Sequence, residues 1–329
     1  MNTPRFVRLR LLNILGALAL TASFVHAQNA PANTTVTPAT PAAAPTIAAP
    51  PPGPPGGGAG RGGRVQAGPP APVPPEVAIA RPTAAELAQA DEAVKKFVAS
   101  DSSGIKPLLD KYPGLIVVQP PRADTAIAPY PRNSTRHAAF VELAKQGNID
   151  LLLDGDSITD WWVRNGKDAF AKYFGNIKTA NFAVAGERTE QILWGLQNGE
   201  GQGFQPKAIM LMIGTNNANN TAPEVAEGIG AIVLEMRKDF PDAKILLLGI
   251  FPRGDPGDPV RAKIAEVNKI VSKLDDQQHV FYLDIGSKFL DENGVFLPDA
   301  FLPDKLHPQE KGYEIWGEAV KEPLANMLK

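Results

Sequence analysis

Serine, glycine, asparagine, aspartate and histidine recur in this chain where short apolar runs give out. Ser157 stands in "GDSITD" directly after "IDLLLD", and Gly186 stands in "AVAGERTEQ" after "TANFAVA". Asn216 lies in "MIGTNN" after "AIMLMIG", and Asp304 and His307 lie in "LPDKLHPQEKGYEIW" near the C-terminus. Each alone is ordinary, since Gly, Asp, Asn and Ser are turn formers and His-Pro is a common helix entry. Together they are the parts of acyl transfer. A serine hydroxyl becomes a nucleophile when an imidazole takes its proton. The imidazole needs a carboxylate to fix its tautomer and balance its charged form, and Asp304 is three residues away. A tetrahedral intermediate needs donors where its oxyanion develops. The amides of Ser157 and Gly186 and the side chain of Asn216 would supply them. No G-x-S-x-G surrounds Ser157, which separates it from the α/β-hydrolase elbow.

The elements that must position these groups follow from the same runs. Residues 149–154, 179–185, 208–214, 244–251 and 280–286 are short, aliphatic and aromatic, as strands covered on both faces are. Between and after them, residues 187–198, 223–239, 259–275 and 309–328 read as helices, Pro223 suiting a first helical turn. Five strands alternating with helices predict a three-layer α/β/α sandwich on a parallel sheet. Ligands of such folds bind beyond the carboxyl ends of the strands, which is where Ser157, Gly186 and Asn216 fall.

The remaining candidates have plainer readings beside the functional ones. Of four histidines, His26 lies in the N-terminal leader, His137 reads as helix entry or packing and His279 as solvated, which leaves His307. Asp156, adjacent to the serine, fixes the turn through side-chain-to-backbone bonds, and Asp160 starts the following helix in the same way. Trp161 and Trp162 are candidates to contact substrate, with core packing as the alternative, and Trp194 reads as packing. Glu187 belongs to a capping network with a possible substrate contact. Arg253, in the turn-rich "FPRGDPGDP", is a candidate to steer an anionic substrate, with a mobile loop that has no such task as the alternative.

Composition narrows the function classes. The 329-residue chain has no cysteine, which excludes disulfides, thiol nucleophiles and thiolate metal sites. A formal charge of −2 offers no basic stripe for nucleic acid. Residues 1–27 read as a secretory signal: Arg5, Arg8 and Arg10, then an apolar stretch from Leu11 to Val25, then Val25-His26-Ala27 as the cleavage site. That stretch is too short to span a bilayer, so no stable membrane span is expected after cleavage, and the chain is expected in the periplasm or outside the cell. Residues 28–78 are rich in Pro, Ala and Gly and read as a disordered linker. Residues 79–135 read as an N-terminal extension packed on the main domain. It opens with a Thr83/Glu86 capping box and a helix whose face carries Leu87, Ala90, Val94, Phe97 and Val98. Residues 136–329 form the main domain.

"DLLLDGDSITDWW", "NFAVAGERTEQILWGLQNGE", "AIMLMIGTNN", "AKILLLGIFPRG", "YLDIGSKFL" and "DKLHPQEKGYEIW" resemble, in order and spacing, the GDSL-type SGNH hydrolases. They are most similar to the platelet-activating-factor acetylhydrolase-like branch, over roughly residues 131 to 329. The resemblance implies a flavodoxin-like strand order and no metal or organic cofactor. It also implies Ser157 as nucleophile, Gly186 and Asn216 as oxyanion donors, and a D-x-x-H pair at Asp304 and His307. Ala183, Ala185 and Asp154 depart from the glycines common in relatives, beside the pocket rather than at a catalytic position.

The expectation is therefore an exported serine esterase that removes a short acyl group, acetyl, from an oxygen on a carbohydrate. An acetylhydrolase of phospholipid-like esters is the alternative among enzymes. A glycan- or partner-binding module that has lost turnover is the alternative from another class, and the intact Ser157, Asn216, Asp304 and His307 argue against it. A phosphate binder would want a glycine-rich loop after the first strand, where "DGDSITD" carries three acids instead.

Overall fold

The computed structural model describes residues 67–100, 102–112 and 125–329. The signal expected at 1–27, and the linker as far as residue 66, lie outside them.

The five apolar runs form the strands β1 (Leu151–Gly155), β2 (Thr179–Asn181), β3 (Ala208–Met212), β4 (Lys244–Leu248) and β5 (Val280–Leu283). They make one sheet in the order β2-β1-β3-β4-β5, every neighbouring pair parallel. This is the flavodoxin-like order, and its direction of winding reverses between β1 and β3. Side chains alternate across the sheet as strand geometry requires. Leu152, Ile209, Leu211, Ile245 and Leu247 pack into one core cluster. Leu151, Leu153, Met210, Met212, Leu246 and Leu248 pack into the other.

Nine α-helices are described: α1 (Ala84–Ala99), α2 (Lys106–Lys111), α3 (Ser134–Lys145), α4 (Ser157–Asp160), α5 (Lys167–Phe174), α6 (Thr189–Gly195), α7 (Ala222–Asp239), α8 (Pro259–Val271) and α9 (Glu310–Met327). Phe140 of α3, Ile192 of α6, Ile229 and Ile232 of α7 and Ile264 of α8 fill the first cluster. Phe170 and Phe174 of α5 and Tyr313 and Trp316 of α9 fill the second. The three-layer sandwich follows: both faces of the sheet are apolar, and each needs its own helical layer. Among the described residues no helix is long and apolar enough to cross a membrane.

The N-terminal part differs from expectation in two respects. Residues 67–78, expected in the disordered linker, run along the domain as a strap. The Gly68 N–H donates to Pro129 O and the Ala71 N–H to Ile127 O, both at 2.8 Å. Ala71 and Val77 are buried in the first core cluster. The strap fits because α7 has Gly230 beneath it, where a Cβ would lie 2.5 Å from Val77 Cγ2. Helix α1 forms with its Thr83/Glu86 capping box, but none of its residues is buried and Phe97 is 71% exposed. The expected apolar face is present, and among the described residues its Leu87, Val94 and Val98 are only half-buried.

The strap ends on a charge pair. Glu227 of α7 has a fully buried carboxylate, which accepts from the Ile79 N–H at 2.5 Å and from Arg81 Nη1 at 2.8 Å. Removing one partner of such a pair strands the other charge away from water. Arg81→Ala is expected to lower unfolding free energy by about 2 kcal/mol in urea titrations. Glu227→Gln in the same chain should recover most of that loss, because the stranded charge is then gone.

Candidate active site

Ser157 opens α4 directly after β1, and the turn before it is built on Gly155. A Cβ there would sit 2.4 Å from Met212 O and 2.6 Å from Thr159 Oγ1, so no larger residue fits. Asp156 accepts the Ile158 N–H at 3.0 Å and caps the helix, the turn-fixing role expected of it. Tyr313 of α9 donates its hydroxyl to Ile158 O at 2.7 Å and pins the turn from below. Ser157 is 6% exposed, and its Oγ lies 2.9 Å from His307 Nε2. His307 Nδ1 lies 2.7 Å from Asp304 Oδ2. An Nδ1–H tautomer satisfies both contacts, donating to Asp304 and leaving Nε2 to accept from the serine. Asp304 Oδ1 also accepts the N–H groups of Leu306, at 3.0 Å, and His307, at 3.1 Å. Partial burial raises the Asp304 pKa, but the bonds from the His307 ring and these two amides outweigh it and hold the group below the usual carboxylate range.

Gly186 takes φ +83°, a left-handed conformation that glycine adopts without strain, and the space where its Cβ would project is open. Among the described residues the amides of Ser157 and Gly186 meet no acceptor within the protein. Asn216, in the loop after β3, donates one Nδ2 hydrogen to Glu187 O at 2.8 Å. Its second hydrogen is left for a ligand. Asn217 ties the two loops together, accepting the Thr189 N–H at 3.2 Å and donating to Thr189 Oγ1 at 3.0 Å. Ser157, Gly186, Asn216 and His307 thus lie at the carboxyl ends of β1, β2 and β3 and in the loop before α9, around the switch in strand order.

The substrate-contact candidates separate. Trp162 is corrected to a core residue: it is fully buried among Phe170, Phe174, Tyr313 and Trp316, which leaves no face for a substrate. Glu187 is also corrected. Its carboxylate turns inward to Arg132, 2.9 Å from Nε, and only its carbonyl faces Asn216. Trp161 stacks on the His307 ring. Arg253 is half-buried and reaches Thr215 O and Oγ1 at 3.3 Å. It borders a cavity of about 530 Å³ lined by Gly214, Val225, Ile250, Val260, Ile264 and Lys263. Asp160 ends α4 and precedes the short helical turn Trp161–Val163, but its side chain does not cap that turn and pairs instead with Arg136 at 2.9 Å. His137 packs edge-on to Trp194 and bonds Glu200, and His279 is half-buried at the entry to β5.

A buried charge cluster under the oxyanion loop has no signature in the sequence. Arg132 is fully buried and holds both Glu187 and Glu200, and it also donates to Phe182 O at 2.9 Å. Its partners stand 55 and 68 residues away, outside any local motif. Among the described residues no group of three or more His, Asp and Glu side chains is arranged to hold a metal ion.

Comparison with known proteins places the chain in a family. The GDSL-like lipase/acylhydrolase family profile matches residues 155–315. The alpha2 subunit of platelet-activating factor acetylhydrolase IB from Rattus norvegicus is 36% identical over 197 residues, covering 59% of this chain and 84% of the relative. The chain belongs to the GDSL-like lipase/acylhydrolase family. It is an ester-cleaving hydrolase of the platelet-activating-factor acetylhydrolase-like branch. The alpha1 subunit from Mus musculus is 32% identical over 193 residues, covering 58% of this chain and 82% of the relative. A solved structure from Streptococcus pneumonia, provisionally described as a platelet activating factor, shares the fold. It has a TM-score of 0.50 and 22% identity, covering 58% of this chain and 91% of that one.

Burial pushes the carboxyls of Asp154, Asp156 and Glu187 of this hydrolase up to about 7. Arg132 works against the rise at Asp154 and Glu187, and the Ile158 amide against it at Asp156. Between the ordinary carboxylate value, about 4, and about 7 the folded chain holds protons that the unfolded chain has released. Their contribution to stability is complete below that window and is lost as pH rises through it. The melting temperature is expected to fall between pH 5 and pH 8, and Asp154→Asn, which mimics the protonated form, should flatten the slope. Calorimetry across that range checks both.

Proposed function

We propose that this hydrolase is an exported serine esterase that removes acetyl groups from oxygen atoms of a carbohydrate. The observation that carries the mechanism is the continuous hydrogen-bonded line from Ser157 Oγ through His307 to Asp304, at 2.9 and 2.7 Å. Ser157 Oγ attacks the ester carbonyl carbon while His307 Nε2 takes the hydroxyl proton. The negative charge on the former carbonyl oxygen is met by the Ser157 and Gly186 amides and by the free hydrogen of Asn216. The intermediate collapses, the C–O bond to the alcohol breaks, and His307 returns the proton to the departing oxygen. Water then attacks the acyl-serine, giving its proton to His307. Collapse of the second intermediate frees the carboxylic acid and restores the serine hydroxyl. Asp304 stays ionised throughout and balances the imidazolium.

Acetyl as the acyl group is supported by the names of the curated relatives, which are acetylhydrolases. The carbohydrate is supported by the N-terminal signal pattern, which points outside the cytosol. One observation favours a second reading, an acetyl ester on a phospholipid-like alcohol. The aliphatic cavity beside Thr215 has Arg253 and Lys263 on its wall, which suits an alkyl chain with an anionic group. A binding module without turnover would have no use for an aligned base and nucleophile.

Ser157→Ala is expected to cut p-nitrophenyl acetate hydrolysis by about 10⁴-fold or more with unchanged melting temperature. Asn216→Ala should cut kcat by roughly 10²- to 10³-fold. Equal activity in Ser157→Ala and the parent would overturn the mechanism. Acetate release from acetylated oligosaccharides, against release from an acetylated long-chain glycerophosphate, decides between the two alcohols. Arg253→Ala should raise KM for the second substrate only.

A further inference from the structure

The line of hydrogen bonds through His307 restrains one motion of the ring less than the others. Imidazole nitrogens donate and accept in the plane of the ring, so the bonds to Asp304 and Ser157 resist sliding within that plane more than tilting out of it. The ring sits on an irregular loop: residues 302–308 have no helix or strand of their own beyond the isolated Phe301–Pro308 bridge. What meets the face of the ring is Trp161. The two rings are stacked, with centroids 4.1 Å apart and planes 20° from parallel.

Trp161 is itself firmly held. Its backbone N–H donates to Ser157 O, closing the turn that begins at the serine. Its carbonyl accepts the N–H of Arg164 at 2.9 Å. The next residue, Trp162, is fully buried in the aromatic cluster between α5 and α9. The guanidinium of Arg164 lies 5.1 Å from the Trp161 ring centroid. One helical turn therefore carries both Ser157 and the ring that backs His307, four residues apart on one helix face.

We propose that Trp161 is a positioning residue for His307. Its indole fixes the tilt of the imidazole so that Nε2 stays in line with Ser157 Oγ, and its π face lies against the imidazolium formed when the serine proton is taken. This assigns Trp161 to the base rather than to the substrate, and it rests on the reading of Ser157, His307 and Asp304 as the catalytic line.

The test compares Trp161→Leu, Trp161→Gln and Trp161→Phe with the parent chain and with Ser157→Ala, using p-nitrophenyl acetate. Leu and Gln are expected to lower kcat on the order of 10- to 100-fold with KM changed less than about twofold, because misplacement of the base costs rate rather than binding. Phe, which keeps an aromatic face, should recover most of kcat. In NMR spectra, the His307 ring protons should lose their ring-current shift in Leu and Gln and keep most of it in Phe. If one polar or aliphatic variant does not fold, the other carries the comparison, and Phe alone still reads the ring-current shift and the rate together. Unchanged kcat in Leu or Gln, or a rise in KM with kcat intact, would overturn the proposal, the latter returning Trp161 to the substrate. Activity retained in Ser157→Ala would instead defeat the underlying mechanism, whatever the Trp161 variants do.

Discussion

One hydrogen bond, 2.9 Å from His307 Nε2 to Ser157 Oγ, joins parts of the chain 150 residues apart. It is a demanding contact, because an error of about 1 Å removes most of its use in proton transfer. The sheet supplies the precision. Parallel strands put their carboxyl ends on one edge, and the reversal of winding between β1 and β3 opens a crevice there. Ser157 leaves β1 through a turn too tight for any residue but glycine at 155, and α9 reaches under that turn with the Tyr313 hydroxyl. The helix that follows His307 is thus bonded to the helix that starts with Ser157.

The oxyanion loop depends on a different kind of interaction. Glu187 presents its carbonyl to Asn216 because its carboxylate is drawn the other way, to the buried guanidinium of Arg132. Arg132 is shared with Glu200, and Glu200 also bonds His137 of α3. A buried cluster of this kind contributes little net stability compared with an apolar core, but every partner is expensive to remove once the others are in place. Its effect is to fix one geometry for a loop that would otherwise be a plain glycine turn.

How much of this could be read beforehand varies with the range of the interaction. The strands were legible because a strand buried on both faces is a continuous apolar run. Ser157, Asn216, Asp304 and His307 were legible because each sits where such a run or its loop ends. Trp161 and Trp162 were not separable: adjacent residues share one local pattern, and only packing sends Trp162 into the aromatic core and lays Trp161 on the histidine. Arg132 gave no local signal, its partners being distant in sequence. The strap at residues 67–78 was hidden by its proline- and glycine-rich composition, which marks low intrinsic order. Its order comes from bonds to residues 127 and 129 and from the glycine groove on α7. The face of α1 misled in the opposite sense, with helical periodicity but, among the described residues, only half-buried or exposed side chains.

The central claim is that Ser157 is a nucleophile made reactive by His307. Its most direct test is labelling with a fluorophosphonate, followed by intact-mass and peptide mass analysis of the parent chain and of His307→Ala. The account predicts one adduct per chain, carried by the peptide containing Ser157, forming at least about 10²-fold more slowly when the imidazole is removed. An adduct on another residue, or labelling at the same rate in both proteins, would contradict it.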